Sequence, residues 1–329
     1  VLLTAYPEAH RQLDLAALDL CTFEPGARVH LGRASSVVAD PFRSPRRTLS
    51  TATSPATTVL DKPRIAWMRH QLRSPHPATL LGGDDVSTRE ALRRRGFSDT
   101  TIERFFSPLF GGIQLDPSLR TSRRMFDIIF RMLADGDSAV PALGMQQIPE
   151  QLAARLPDGA IELGRRVSSV RPGAVATDDG SVEADAVVVA VEGPHASDLL
   201  GLPAVGSKPV GAVWFSAPEP PTDDRLVTLD GRGGAVLNAA VLSNVSPHYA
   251  PPDRALVVAA LPGLVDGDLA ETARDALRTW WGDQVDAWDP IGTYRIEHGQ
   301  PDQSPPFAPK LRVDLGGGVF VCGDHRDTA

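Results

Sequence analysis

The sequence has very little lysine and cysteine. Three lysines, Lys62, Lys208 and Lys310, stand among 33 basic residues, and 41 acidic residues give a formal net charge of −8. This balance gives no support for a general affinity for nucleic acid or for anionic membrane surfaces. Two cysteines, Cys21 and Cys322, lie far apart and match no metal-ligand spacing. We therefore predict no metal site and expect a reduced, cytoplasmic protein.

Long apolar runs are also missing. The apolar runs, such as Ala186 to Val191 and Ala255 to Leu261, are far shorter than the roughly 20 residues that a bilayer-spanning helix needs. No charged segment followed by an apolar one opens the chain, so no signal peptide is visible. We predict a protein without a transmembrane segment, and peripheral membrane contact stays open. The chain begins with Val1 and stops soon after a strand-like run, so we expect a fragment cut at both ends.

Motifs that define a catalytic class are absent as well. The sequence has no Gly-x-Ser-x-Gly, no Walker loop and no His-Glu-x-x-His, and its eight histidines are scattered. No Gly-x-Gly-x-x-Gly follows a strand pattern; the glycines at 316–318 precede one, as in a turn. Spacing alone therefore assigns no reaction.

The first forty residues are predicted to form a short helix and then extended structure, and residues 64–135 to be mainly helical, within a length that suits about two domains. Residues 64–135 carry helical periodicity, and Ser87 and Thr100 each begin a capping-box pattern. Between the helices, Pro108 to Ile113 is predicted to be a break. Residues 41–63 are rich in proline, serine and threonine, which favours a loop or an edge segment.

Strand patterns dominate after about residue 140. The turn Asp178-Asp179-Gly180 lies between extended segments and predicts a hairpin. The Ala186 to Val191 run predicts a strand covered on both faces, as in an α/β layer. Residues 268–281 form one amphipathic helical pattern. We expect Trp280 and Trp281, at its end, to pack in the core and not against a cofactor.

The most informative local pattern is Val319-Phe320-Val321-Cys322-Gly323-Asp324. A buried strand is followed by a glycine, which permits close approach of a ligand, and then by an acid. Ligands of open α/β sheets bind at the carboxyl ends of strands, where Asp324 would accept a hydrogen bond from a ribityl or sugar hydroxyl. The alternative is that Asp324 only caps a following helix.

Four further stretches occur in a characteristic order. They are Phe106-Ser107-Pro108-Leu109-Phe110-Gly111-Gly112-Ile113 with Leu115-Asp116-Pro117, Gly144-Met145-Gln146-Gln147-Ile148-Pro149, Arg166-Val167-Ser168-Ser169-Val170, and the final Gly323-Asp324-His325-Arg326-Asp327-Thr328-Ala329. This order resembles the flavin-containing amine oxidases and their phytoene desaturase and protoporphyrinogen oxidase relatives.

The resemblance implies an α/β fold in which a Rossmann-like, incomplete FAD/NAD(P)-binding domain carries an inserted α+β substrate domain of mixed sheet and helices. The substrate domain would comprise residues 1–140 and 205–310. The FAD-binding domain would comprise residues 141–204 and 311–329. FAD is the implied cofactor.

The resemblance also implies positions for the cofactor site. The backbone of Val167 would contact the adenine, and Glu192, Gly193, Gly323 and Asp324 would lie along the rest of the cofactor. No catalytic residue is implied, because the flavin carries the chemistry.

Three residues are candidates for the substrate pocket: Phe110, Tyr294 and Arg295. Core packing of Phe110 and a half-buried strand position for Tyr294 and Arg295 are the alternatives. The substrate itself would be a small apolar or amine-bearing molecule, and the oligomeric state stays open.

The reaction implied by the resemblance is hydride removal from a C–N or C–C bond to the flavin. The sequence departs from the family pattern because the dinucleotide fingerprint is missing from the 329 residues. We expect this fingerprint in a preceding segment of a longer protein. The alternative is a non-catalytic remnant or a binding module without flavin.

Overall fold

The computed structural model describes residues 1–32, 34–263 and 265–327, which form a mixed α/β fold with four sheets. The helices are α1 Pro7–Gln12, α2 Thr48–Thr53, α3 Asp61–Arg73, α4 Thr88–Arg94, α5 Asp99–Thr101, α6 Ser107–Ile113, α7 Arg123–Asp135, α8 Gln147–Ala153, α9 Gly193–Leu200, α10 Leu242–Val245 and α11 Leu269–Trp281. The strands are β1 Leu2–Leu3, β2 Leu20–Thr22, β3 Gly26–His30, β4 Ser35–Ala39, β5 Ser138–Pro141, β6 Val167–Arg171, β7 Ala174–Thr177, β8 Gly180–Glu183, β9 Val187–Val189, β10 Ser207–Ala217, β11 Val227–Asp230, β12 Asn238–Val241, β13 Ala255–Pro262, β14 Asp289–Pro301, β15 Asp314–Gly316 and β16 Val319–Val321.

The largest sheet has seven strands in the order β14-β10-β13-β12-β11-β3-β4. Neighbouring strands within this sheet are antiparallel, except for the parallel pair β3 and β11. Helix α11 covers one face, because alternate residues of β10 such as Val213 and Phe215 pack in one cluster with Leu269 and Leu277. The predicted helix at 268–281 is confirmed, and the Asp268 side chain caps it by accepting the N–H of Ala270 at 2.8 Å.

Three smaller sheets have the strand orders β1-β5-β2, β15-β16-β9 and β6-β7-β8. The hairpin predicted around Asp178-Asp179-Gly180 is confirmed as the turn between β7 and β8. Among the described residues, no helix has the combination of length and apolar character that crossing a bilayer requires.

The helical region predicted for residues 64–135 is confirmed. The side chain of Ser87 accepts the N–H of Glu90 at 3.2 Å, as the capping pattern predicts. The core of this part is aromatic, with the rings of Phe106, Phe110 and Phe126 all fully buried. The Phe110 and Phe126 ring centroids lie 4.3 Å apart, so these helices are joined through aromatic contacts.

The break predicted at Pro108 to Ile113 is wrong, because these residues belong to α6. A π-helical turn over Ile102–Phe106 precedes α6, and its wider spacing accommodates a proline that has no N–H to donate. The two glycines serve close packing: a Cβ on Gly111 would lie 2.7 Å from Pro117, and one on Gly112 would collide with Asn238.

The loop predicted for residues 41–63 is also wrong in part, since α2 lies within it. The helix is held by tertiary contacts: the Thr51 hydroxyl oxygen accepts the Ala39 N–H at 3.0 Å, and the Ser54 and Ser36 hydroxyls are 2.8 Å apart. The first contact joins α2 to β4, and the second joins the residue that ends α2 to the same strand. Hydrogen bonds to a distant strand leave no periodic signal in the sequence, so the helix was missed.

The second predicted capping box is displaced by two residues. Ser98, not Thr100, caps the helix by accepting the N–H of Thr101 at 3.3 Å. Ser98 is placed there by Asp61, which is fully buried and accepts hydrogen bonds from Ser98, from the Thr101 hydroxyl at 2.6 Å and from the Thr58 hydroxyl at 2.7 Å. A single carboxylate therefore joins the starts of α3 and α5.

This network controls the ionisation of Asp61. Burial alone would raise the pKa of the carboxyl group, but the hydrogen bonds from Ser98, Thr101 and Thr58 and the nearby Arg64 lower the pKa to about 2. We expect Asp61→Asn to lower the free energy of unfolding by about 2 kcal/mol at pH 7, since lowering a carboxyl pKa from 3.8 to about 2 stabilises the folded state by that amount.

The pH dependence of this effect is testable by urea unfolding. A carboxyl group with a lowered pKa stabilises the fold above its ordinary pKa, and this contribution is lost as the pH falls through the folded value. The difference between wild type and Asp61→Asn should shrink to about half at pH 3. The control Asp99→Asn removes a carboxylate whose side chain is 69% exposed, and it should change stability by less than about 0.5 kcal/mol. Equal losses for Asp61→Asn at both pH values would contradict this account.

Candidate functional site

Two parallel strands, β9 and β16, end side by side. Val187, Val188 and Val189 pair with Val319, Phe320 and Val321 in parallel register. The N–H of Cys322 donates to the Val189 carbonyl at 3.0 Å, which continues the pairing one residue further. The chain leaves both strands at the same edge of the sheet, which is the edge where open α/β sheets commonly bind ligands.

This pairing brings together four of the predicted cofactor-binding residues. Glu192 and Gly193 follow β9 at the start of α9, and Gly323 and Asp324 follow β16. We call these four residues the carboxyl edge. The pair Glu192 and Gly193 lies more than 120 positions before the pair Gly323 and Asp324 in the sequence, and the pairing of β9 with β16 makes the two pairs neighbours.

The two glycines of the carboxyl edge are required by the protein's own packing. A Cβ on Gly193 would lie 2.9 Å from the Val205 side chain and 3.2 Å from the His325 Cβ. Gly323 has φ +145, and a Cβ there would lie 2.8 Å from the His325 Nδ1. Both turns therefore close onto the side chain of His325, and any larger residue would push the turns apart.

The imidazole of His325 lies unpaired beneath the carboxyl edge. Its side chain is 1% exposed, and neither ring nitrogen has a hydrogen-bond partner among the described residues. Burial, followed by the charge of Arg326, lowers the pKa of His325 and outweighs the opposite effect of Asp324. The ring is therefore neutral at pH 7, with one donor and one acceptor free.

The carboxylates of the carboxyl edge face solvent. The side chains of Glu192 and Asp324 are 57% and 66% exposed, and each lies near one imidazole: the Nδ1 of His195 is 3.5 Å from Glu192, and the Nδ1 of His325 is 3.8 Å from Asp324. Ionised carboxylates are acceptors only, so both are available to the hydroxyl groups of a bound molecule.

A narrow cleft separates the carboxyl edge from the seven-stranded sheet. It has a volume of ≈ 30 Å³ and is lined on the far side by Ser207, His298 and Gln300. A ring system needs more space than this, so a cofactor would lie along the exposed edge and not inside the cleft.

Sequence reasoning missed the far side of this cleft. The His298 Nδ1 lies 2.7 Å from the Ser207 hydroxyl, and the His298 and His195 ring centroids are 6.1 Å apart. The antiparallel pairing of β10 with β14 creates this arrangement. Residues so far apart form no local motif, so the sequence held no signal for them.

Val167 lies at the start of β6. Further along this strand, Val170 packs against the cluster of Val189 and Val321, and the turn after it approaches Gly317, where a Cβ would lie 3.0 Å from the Pro172 side chain. Gly317 precedes β16, so the end of β6 lies at the amino end of the β9–β16 pair. Val167 lies at the other end of this strand, four residues before Arg171. Val167 is 37% exposed.

The three candidates for the substrate pocket lie in different environments. Phe110 is fully buried in the aromatic core, which favours the packing interpretation. Arg295 donates to the carbonyls of Val265 and Gly267, beside α11. Tyr294 is 56% exposed on the opposite face of β14, because successive strand residues alternate between faces.

One prediction about the strand before the cofactor site is wrong, and the end of one predicted motif lies outside the described residues. The strand at Ala186 to Val191 is not covered on both faces as predicted, since Val188 is 60% exposed and Val191 is 42% exposed. Thr328 and Ala329, the end of the final motif, lie outside the described residues.

Several solved structures share this fold. A protein from Exiguobacterium sp. 255-15, provisionally named a protoporphyrinogen oxidase, is 17% identical with a TM-score of 0.68, over 97% of this chain and 81% of that one. An oxidoreductase from Methanosarcina mazei is 16% identical with a TM-score of 0.66, over 93% and 77%. Cyclohexylamine oxidase from Brevibacterium oxydans IH-35A is 14% identical with a TM-score of 0.58, over 98% and 79%. These similarities confirm the predicted fold class.

The family is identified by sequence. A comparison with curated proteins finds no match. The model of the family described as flavin containing amine oxidoreductase matches residues 11–329. This match confirms the resemblance seen in the motifs, and the cofactor of the family is a flavin. The chain belongs to the flavin containing amine oxidoreductases.

Proposed function

We propose that the chain is the part of an FAD-dependent oxidoreductase that holds the flavin against a small-molecule substrate. The observation that carries the proposal is the carboxyl edge, where the ends of β9 and β16 bring two tight glycine turns and two solvent-facing carboxylates together. When bound, the flavin supplies the hydride acceptor for oxidation of a C–N or C–C bond.

The residues of the carboxyl edge fit such a cofactor. Asp324 and Glu192 offer acceptors for ribityl and ribose hydroxyls, and His325 offers an unpaired buried nitrogen behind them. Val167 is proposed to contact the adenine through its backbone. The substrate is thus oxidised by the cofactor, while this chain orients the cofactor and limits access of water.

We propose the domain division that the sequence suggested. The FAD-binding domain comprises 141–204 and 311–329, and the substrate domain comprises 1–140 and 205–310. The sheets support this division, since β9 and β16 pair across the two FAD-binding segments. The seven-stranded sheet combines β3 and β4 from the first part of the chain with β10 to β14 from the second substrate segment.

The substrate is proposed to be apolar or amine-bearing. Val210, Ala212 and Trp214 of β10 lie on the face opposite α11 and are only partly buried. Tyr294 and Ile296 of β14 pair with Ala212 and Val210 on the same face, and both are exposed. This apolar surface suits a hydrophobic molecule, and it favours neither an amine nor a polyene or porphyrinogen-like substrate.

We further propose that the cofactor site is completed by a segment carrying the dinucleotide fingerprint. Such a segment would cover the exposed side of Val188 and Val191, because parallel strands are normally covered on both faces. The alternative function, a binding module without flavin, is favoured by one observation: residues 1–329 contain no Gly-x-Gly-x-x-Gly after a strand.

An absorption spectrum separates the two functions. The protein made from the complete coding region is purified, supplied with FAD and desalted. We expect a flavin band near about 450 nm that is bleached under anaerobic conditions by an amine such as cyclohexylamine or by a porphyrinogen. A folded, colourless protein after FAD addition would support the binding module and contradict the oxidoreductase.

A further inference from the structure

A second cavity lies on the α11 side of the seven-stranded sheet. Its volume is ≈ 180 Å³, and it lies where the C-terminal end of α11 extends over β3 and β11. We call it the Trp280 cavity; its main lining residues are Arg28, His30, Ser35, Thr222, Thr228 and Trp280.

The Trp280 cavity is separate from the carboxyl edge. Strand β3 lies four strands away from β10 in the sheet order, and Ser207 of β10 lines the cleft at the carboxyl edge. With about 4.8 Å between neighbouring strands, the two places are roughly 19 Å apart. The cavity is therefore not part of the proposed flavin site.

Its position follows from strand alternation. Ala27 and Val29 of β3 point into the large hydrophobic core, so Arg28 and His30 point to the other face. There α11 packs its leucines over β10 and β13 and reaches β3 only with its terminal tryptophans. The prediction that Trp280 packs in the core is thus only partly confirmed. Trp280 packs against the core on one side and lines the cavity on the other.

Two polar side chains of the cavity are buried and incompletely paired. His30 is 5% exposed, and its Nε2 has no hydrogen-bond partner among the described residues. Arg28 donates to the Ser35 hydroxyl at 3.3 Å and pairs with Asp224, but its Nε is buried without a partner. Unpaired buried donors are unfavourable, so a ligand that accepts from them gains free energy.

The chemistry of the walls defines the ligand. The His30 ring is stacked on Trp280, with centroids 5.7 Å apart and an angle of 29° between the planes, which favours a flat ring beside them. Asp224 neutralises the charge of Arg28, so an anion gains little. The volume is close to that of the roughly 150 Å³ cavity that accommodates benzene.

We propose that the Trp280 cavity is a second small-molecule site for a single planar, uncharged aromatic or heteroaromatic ring that carries a hydrogen-bond acceptor such as a carboxamide. The ring lies against Trp280, and its acceptor oxygen binds the free N–H groups of Arg28 and His30. Burial keeps the pKa of His30 below its ordinary value, so the imidazole is neutral at pH 7.

The test compares two carboxamides on the purified chain by saturation-transfer NMR and calorimetry. Benzamide is planar, and cyclohexanecarboxamide has the same acceptor on a puckered ring. We expect benzamide to bind with a dissociation constant of about 1 mM, and cyclohexanecarboxamide to bind at least about tenfold more weakly.

Substitutions in the cavity test whether benzamide binds there. Trp280→Leu should weaken benzamide binding at least about tenfold, and His30→Phe, which keeps an aromatic ring on Trp280, should weaken it about fivefold. The matched control is Trp67→Leu, because Trp67 also neighbours a histidine but is 60% exposed on α3; it should leave affinity unchanged. Circular dichroism checks folding, and if Trp280→Leu unfolds, His30→Phe decides.

Three results would overturn the proposal. They are the absence of saturation transfer to benzamide at about 10 mM, equal binding of the two carboxamides, and equal weakening by Trp67→Leu and by the cavity variants.

Discussion

Replacement of Asp324 by alanine is expected to weaken FAD binding about 10- to 100-fold, because a hydrogen bond to an ionised carboxylate is worth about 1.5–3 kcal/mol. Asp324 follows β16, and its carboxylate is exposed at the carboxyl edge, 3.8 Å from the Nδ1 of the neutral His325. The loss should therefore appear in cofactor affinity and not in stability. Titration of the apoprotein from the complete coding region with FAD, followed by flavin fluorescence, measures it.

The matched control is Asp185→Ala. Asp185 is also an exposed carboxylate, but it lies before β9, at the opposite end of the same strand pair. It should leave FAD affinity within about twofold of wild type, since it lies away from the proposed ligand. If Asp324→Ala binds FAD as tightly as Asp185→Ala, Asp324 has no part in cofactor binding.

The second large effect is expected at Lys208, one of three lysines in the chain. Lys208 is 7% exposed and lies at the start of β10. Its ammonium group donates to the Thr121 hydroxyl and lies 3.4 Å from Asp116 and 3.8 Å from Asp302. Lys208→Met should lower the free energy of unfolding by about 3–5 kcal/mol, because it leaves the buried carboxylate of Asp116 without its cation.

Controls separate this effect from the loss of any lysine. Lys310→Met removes a cation whose side chain is 74% exposed, and it should cost less than about 1 kcal/mol. Adding Asp116→Asn to Lys208→Met should recover part of the loss, because the unpaired charge is then gone. Equal destabilisation by Lys310→Met, or no recovery in the double variant, would contradict the account.

The loss in Lys208→Met should also depend on pH. Burial would raise the pKa of Asp116, but the hydrogen bond from Ser118 and the charge of Lys208 lower it below its ordinary value. A lowered carboxyl pKa stabilises the fold at neutral pH, and this is lost as the pH falls through the folded value. The advantage of wild type over Lys208→Met, measured by urea unfolding, should therefore be largest near pH 7 and smallest in acid.

The sequence predicted the elements whose signals are local. The amphipathic stripe at 268–281, the Ser87 cap and the hairpin at Asp178-Asp179-Gly180 depend on neighbouring residues, and all three are confirmed. The misses depend on tertiary contacts. Helix α2 is fixed by a hydrogen bond to β4. Helix α6 contains a proline and two glycines, and the glycines are required by close packing against Pro117 and Asn238.

The candidate site shows the same division. The residues of the carboxyl edge were predicted because each follows a strand pattern that the family resemblance places beside the cofactor. Ser207 and His298 were missed, since only the pairing of β10 with β14 brings them to the cleft. The opposite orientations of Tyr294 and Arg295 follow from strand alternation, but which of them faces the helix depends on where α11 packs.

Hydrogen–deuterium exchange with and without FAD tests the central claim most directly. On the protein from the complete coding region, the account predicts that, among peptides of this chain, FAD slows exchange most in those covering 187–196 and 319–327, with a smaller effect at 167–171. Peptides of β3 and β4, covering 26–39, should be unchanged. Protection of 26–39 without protection of 187–196 and 319–327 would show that FAD binds elsewhere.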